Sequence, residues 1–150
     1  MDRDTAELSG ETMLVEPPRP VPAGPVVVSV CISCKASDGS GVVVGPEMFE
    51  AVNAALGDGD LAIMVRPVQC LSVCKRPATV AVTSPDGYTF LFGDLQTDSG
   101  TAALVSFVKS YQKSDYGLVP WRERAEVLRK GMVARVPPMR WSPDDGRAPK

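Results

Sequence analysis

The sequence contains no histidine. Imidazole is therefore excluded as a metal ligand, general base or proton relay, and with it most hydrolytic triads and mixed Cys/His zinc sites. Long apolar runs are also missing. The longest, such as "VVVSVCI" and "LAIMV", fall far short of the roughly 18 residues that suggest a membrane span, so no bilayer crossing is expected. The opening "MDRDTAELSGETMLVEPPRP" sets acids where a secretory signal needs positive charge and has no apolar segment of sufficient length. A cytoplasmic protein is predicted.

A general basic face is absent too. Up to Tyr116 the chain carries eight Lys/Arg against fourteen Asp/Glu, a net charge of -6; beyond it the counts are eight and four, a net +4. An acidic body argues against nucleic-acid binding, which draws on positive charge across the folded domain. The basic end is suited to an acidic partner. A chain of 150 residues with 44% hydrophobic content is large enough for one core.

What is present reads as an α/β protein. Residues 1–24 are polar and then proline-rich, a flexible leader. Val26–Val30 is a β-branched run expected to form a buried strand, ending directly on Cys31. The glycine-rich loop "KASDGSGVVVG" leads to a helix opened by Pro46, striped by Phe49, Val52 and Leu56 and stopped by Gly57. "LAIMVRPV" is the next strand, so the first two strands belong to a βαβ unit and should lie parallel.

"ATVAVTSPDGYTFLFG" reads as a hairpin turning at Pro85, Asp86 and Gly87. A helix capped by Asp98 or Ser99 and running to Lys113 follows, with Leu104, Phe107, Val108 and Tyr111 at helical spacing. The expected order is β-α-β-β-β-α on a mixed sheet, a domain over residues 25–116 followed by a basic, proline-rich extension over 117–150 with one short helix from Pro120 to Lys130.

The chemistry lies in four cysteines. Cys31-x2-Cys34 and Cys70-x3-Cys74 are separated by thirty-five residues. Each pair follows the carboxyl end of a strand, and parallel neighbours bring both loops to one edge of the sheet, where the thiols are expected to converge. Four thiolates without imidazole suit zinc or an iron–sulfur cluster. The x3 spacing and the βα unit between the pairs favour a binuclear cluster, which is wider than one zinc ion, and the small glycine-rich loop lets backbone N–H groups approach sulfur. A redox dithiol, Cys31 with Cys34, is the further alternative; it calls for a helix N-terminus that "KASDGSG" does not supply.

"CLSVCKRPATVAVTSPDGYTFLFGDL" resembles the second cysteine pair of the thioredoxin-like 2Fe-2S ferredoxins and of the small cluster-bearing subunit of respiratory NADH dehydrogenases, with Pro77 at the place where the third strand opens. The resemblance spans roughly residues 26–112. It implies a thioredoxin-like ferredoxin fold, a 2Fe-2S cofactor held by Cys31, Cys34, Cys70 and Cys74, and single-electron transfer to a redox partner protein, without enzymatic activity of its own. Those ferredoxins space their first pair more widely than x2. Including "SDYGLVPWRERAEVLRKGMVARVPP", the chain also resembles a bacterial family of small predicted metal-binding proteins often encoded near genes for cobalamin synthesis or cobalt handling, which implies a link to that metabolism. Zinc or cobalt carriage is the alternative role, and a homodimer is an open arrangement.

Lys75 and Arg76 are candidates for stabilising the neighbouring thiolates, and Trp121, Arg122, Arg124 and Arg135 for docking a partner or packing on the domain. Met48 and Met64 are read as core filler and "GDGD", 57–60, as a helix-ending turn.

Overall fold

The computed structural model describes residues 24–139 apart from 37 and 58. Nearly all of the leader and the last eleven residues, 140–150, lie outside the described residues. Five strands form one mixed sheet: β1 (Val26–Cys31), β2 (Ile63–Val68), β3 (Val80–Ser84), β4 (Gly87–Phe92) and β5 (Met132–Val136), in the spatial order β2-β1-β3-β4-β5. β1 pairs parallel with β2 and antiparallel with β3; β3–β4 and β4–β5 are antiparallel. The expected α/β class and its βαβ start are what the chain adopts.

The central position of β1 explains its composition. Paired on both sides by other strands, it has Val26, Val28 and Val30 on one face, all fully buried, while Val27 on the other face is half-buried. Helix α1 (Gly45–Leu56) lays Met48, Val52 and Leu56 on the core, and α2 (Thr97–Lys113) lays down Ala103, Leu104, Phe107, Val108 and Tyr111. Phe107 meets Phe90 and Phe92 edge-on, both with ring centroids 5.0 Å apart, a geometry that contributes about 0.5–1.5 kcal/mol per pair beyond burial. Tyr111, also buried, donates its hydroxyl to the Tyr88 carbonyl at 2.7 Å and meets Ser84 Oγ at 3.2 Å.

Several details depart from the sequence reading. α2 begins at Thr97 with Gln96 as its N-cap, so Asp98 and Ser99 lie in its first turn and do not cap it. Met64 is 59% exposed rather than in the core, because β2 is an edge strand and Met64 is on its outer face. The expected helix from Pro120 to Lys130 is two pieces, a single 3-10 turn at Trp121–Glu123 and α3 (Glu126–Lys130), with extended backbone at Arg124 and Ala125 between them. Arg124 turns inward there, donating from Nε and Nη2 to the Val119 carbonyl at 3.1 and 2.9 Å, and a continuous helix would break that anchorage. Beyond α3 the chain supplies β5, which pairs with β4 and widens the sheet. Among the described residues no helix is long and apolar enough to cross a membrane.

Candidate metal centre

β1 delivers Cys31 as its last residue, and the Cys31 N–H donates to the Thr79 carbonyl at 3.1 Å. One residue on, Ile32 N–H extends the ladder to the Val68 carbonyl at 2.9 Å. The chain then turns so that the Cys34 carbonyl accepts from Val44 and Gly45 N–H, at 3.0 and 3.2 Å, at the start of α1. Only glycine fits at position 45: a Cβ there would sit 2.3 Å from the Ile32 carbonyl carbon. The helix therefore abuts the cysteine loop backbone to backbone, and its N-terminal amides meet a carbonyl rather than a thiol.

Between these anchors "KASDGSGVVVG" is a small hairpin-like lobe. Lys35 bridges Val43, and Ala36 N–H donates to the Val42 carbonyl at 2.7 Å. At the tip Asp38 Oδ1 accepts from Ser40 N–H at 2.8 Å, and Gly39 and Gly41 take φ of 82° and 80°, a conformation natural to glycine.

The second loop follows β2 and is tied to the first. Ser33 Oγ donates to the Gln69 carbonyl at 2.7 Å and lies 3.5 Å from Cys31 Sγ. Ser72, at φ 62°, wraps its N–H back onto Cys70 Sγ at 3.2 Å. Buried Thr79 joins both loops, its Oγ1 lying 3.6 Å from Cys34 Sγ and donating to the Arg76 carbonyl at 3.4 Å. A cavity of about 520 Å³ is lined by residues of both loops, Cys34, Gly39 and Gly41 from the first and Cys74 and Pro77 from the second.

All four thiols are free; Cys31 and Cys34 are buried, Cys70 and Cys74 exposed. The two loops emerge at one sheet edge, as parallel pairing of β1 and β2 requires. The four sulfurs do not close into one shell: among the described residues no three Cys, Asp or Glu side chains stand together as a metal site. Convergence is at the level of the loops, with Cys70 Sγ at the surface accepting the Ser72 N–H. The donor chemistry still fits a thiolate-ligated group, with one cysteine of each loop lining a shared cavity and no competing imidazole.

The buried pair is electrostatically uneven. Burial opposes ionisation of Cys31, yet hydrogen bonds from Ser33, Cys34 and the Leu71 backbone outweigh it and hold the thiol below its ordinary value. Burial pushes the Cys34 thiol up, the Thr79 hydroxyl offsets part of that, and the neighbouring Cys31 adds to the rise.

Arg76 does not serve the sulfurs. Its guanidinium donates to Asp94 Oδ2 at 2.9 Å and to the carbonyls of Met132 and Lys130 at 3.1 and 2.9 Å, strapping the second cysteine loop to the C-terminal segment. Ser33 and Thr79 were not candidates from sequence. Ser33 lies inside the first cysteine pair and Thr79 two residues after Pro77, positions next to the motif but without a spacing rule of their own.

The sequence from residue 28 to 138 matches the model of a family described as protein of unknown function, DUF1636. The chain belongs to the DUF1636 family. No curated protein matches this DUF1636 chain. Among solved structures it is similar to a thioredoxin-like 2Fe-2S ferredoxin from Aquifex aeolicus, with 16% identity, a TM-score of 0.48, and coverage of 77% of this chain and 97% of that one. A cysteine-to-serine variant of the thioredoxin-like 2Fe-2S ferredoxin from the same organism gives 14% identity, TM-score 0.48 and coverage of 73% and 98%. The wild-type form gives 18%, 0.46, and 73% and 96%.

Proposed function

We propose that this DUF1636 protein is an electron carrier that holds a 2Fe-2S cluster through Cys31, Cys34, Cys70 and Cys74. The observation that carries the reading is the parallel pairing of β1 with β2, which sets both cysteine loops at one edge of the sheet, with Cys34 and Cys74 lining one cavity. Such a cluster supplies reversible one-electron chemistry. The chain's own residues provide the surroundings: Thr79 Oγ1 beside Cys34, Ser33 Oγ beside Cys31, and the Gly39–Gly41 tip facing the cavity. Hydrogen bonds to ligating sulfur and restricted solvent access are the usual means by which a protein sets a cluster's potential.

On this reading the protein is a carrier and not a catalyst, it works in the cytoplasm, and its partner is a redox protein. A place in cobalamin or cobalt metabolism is the finest part of the proposal and rests on the resemblance of the sequence alone. A dithiol oxidoreductase draws less support, since the α1 N-terminus donates to the Cys34 carbonyl and not to sulfur.

Iron, acid-labile sulfide and zinc content of anaerobically purified protein, with its visible spectrum, tests the reading. Matched iron and sulfide in a brown protein that reduces reversibly is the expected result. Stoichiometric zinc in a colourless protein would replace the cluster with a zinc or cobalt-type metal site. Cys31→Ser and Cys70→Ser, from opposite loops, should each abolish cluster retention; loss in one alone would break the shared site.

A further inference from the structure

Away from the cysteines, the segment after Gly117 builds a second surface. Between 117 and 139 the chain has five Lys/Arg and two Glu. Trp121, 56% exposed, has the Arg124 guanidinium 5.8 Å and that of Arg129 5.6 Å from its ring centroid. Arg135 lies 5.7 Å from the Tyr88 ring; burial, and then the nearby Arg135, disfavour the charge on Arg124. Arg124 is committed inward, to Val119 and over Phe90 at 5.3 Å. Among the described residues, Arg122, Arg129 and Arg135 have no carboxylate within ion-pair distance, Arg129 acting on Glu126 only at longer range. The nearby Glu126 is occupied by Lys130 at 3.0 Å.

Stacking on a ring uses the face of a guanidinium and leaves its in-plane N–H donors free, in the fork that matches a carboxylate. Like charges with unused donors, Arg129 beside the exposed indole, Arg122 next to it in the chain and Arg135 over Tyr88, are costly for the isolated protein and complementary to an anionic surface. We propose that the face formed by Trp121, Arg122, Arg129 and Arg135 docks a carboxylate-rich segment of a partner protein. The acidic body of the chain, net -6 up to Tyr116, works against a polyanion as long as a nucleic acid while leaving a short acidic segment free to bind locally. This surface is independent of what the cysteines hold.

The test is fluorescence anisotropy of a labelled deca-glutamate peptide titrated with the full chain at low and at physiological salt. Saturable binding that weakens with salt is expected, reduced by about tenfold or more in Arg129→Gln/Arg135→Gln, in keeping with the loss of two charge-assisted contacts. Arg122→Gln, at an exposed side chain outside the packing, should weaken binding several-fold and decides the matter if the double variant melts early. Lys109→Gln on α2 should leave binding unchanged. Absence of saturable binding, or equal binding by the arginine variants, overturns the proposal. Tighter binding of labelled oligothymidylate overturns it in favour of nucleic acid, and self-association in sedimentation that the arginine variants abolish overturns it in favour of a second copy of the chain.

Discussion

Replacing Gly45 by alanine should uncouple α1 from the first cysteine loop. The new Cβ would lie 2.3, 2.4 and 2.5 Å from the carbonyl carbon, carbonyl oxygen and Cα of Ile32, where non-bonded carbons need about 3.5–4.0 Å. Ile32 cannot retreat without losing its N–H bond to Val68, so the helix must move outward by more than about 1 Å. That displacement breaks the bonds from Val44 and Gly45 N–H to the Cys34 carbonyl. Overpacking costs about 1–3 kcal/mol and the two hydrogen bonds about 1 kcal/mol each, against a gain of up to about 1 kcal/mol from alanine in a helix. The net expectation is a loss of about 3 kcal/mol, read by urea unfolding of the full chain, with poorer iron and sulfide retention. Gly100→Ala is the control: its Cβ would sit 3.2 Å from Leu95 Cβ and 3.3 Å from the flexible Met48 Cε, so it should stay within about 1 kcal/mol of wild type. A Gly45→Ala protein as stable as Gly100→Ala would refute the backbone-to-backbone contact.

Tyr111, its hydroxyl buried, has a pKa pushed up to about 12 from 10.0 by desolvation, partly offset by Ser84. The folded state therefore keeps a proton that the unfolded chain releases, so this stability is present below about pH 10 and is lost as pH rises through about 12, a fall of about 2–3 kcal/mol. Alkaline denaturation should show that slope, and Tyr111→Phe should flatten it; a slope unchanged in the variant would rule Tyr111 out as its source. Arg76→Gln should destabilise by about 1–2 kcal/mol, discounted for partial exposure, and raise amide exchange over Met132–Val136, while Arg76→Lys should not rescue because an ammonium cannot fork between Asp94, Lys130 and Met132. Unaltered exchange in β5 would remove the strap. Thr79→Val, close in shape but without the hydroxyl, should cost about 1–2 kcal/mol, and Thr79→Ser should restore most of it; equal loss in both would assign the effect to packing.

Much of the framework was legible because it is written in local pattern. The β-branched run of β1, the apolar stripes of α1 and α2 and the turn at Pro85 and Asp86 each declare their structure within a few residues. Parallel pairing then carried both cysteine loops to one edge without further information. β5 was not legible, since Met132–Val136 is a half-buried edge strand whose apolar alternation is interrupted by Arg135. Arg76 beside Cys74 suggested help for the thiolates, whereas its partners stand 18, 54 and 56 residues further along and only tertiary structure brings them near. The break in the expected helix at Arg124 has the same origin, a side chain drawn inward to Val119.

The four thiols are not equivalent to a molecule arriving from solvent. Cys70 and Cys74 stand at the surface and Cys31 and Cys34 behind them, so the order of encounter is built into the fold: oxidants, alkylating reagents and incoming metal alike reach the outer pair first.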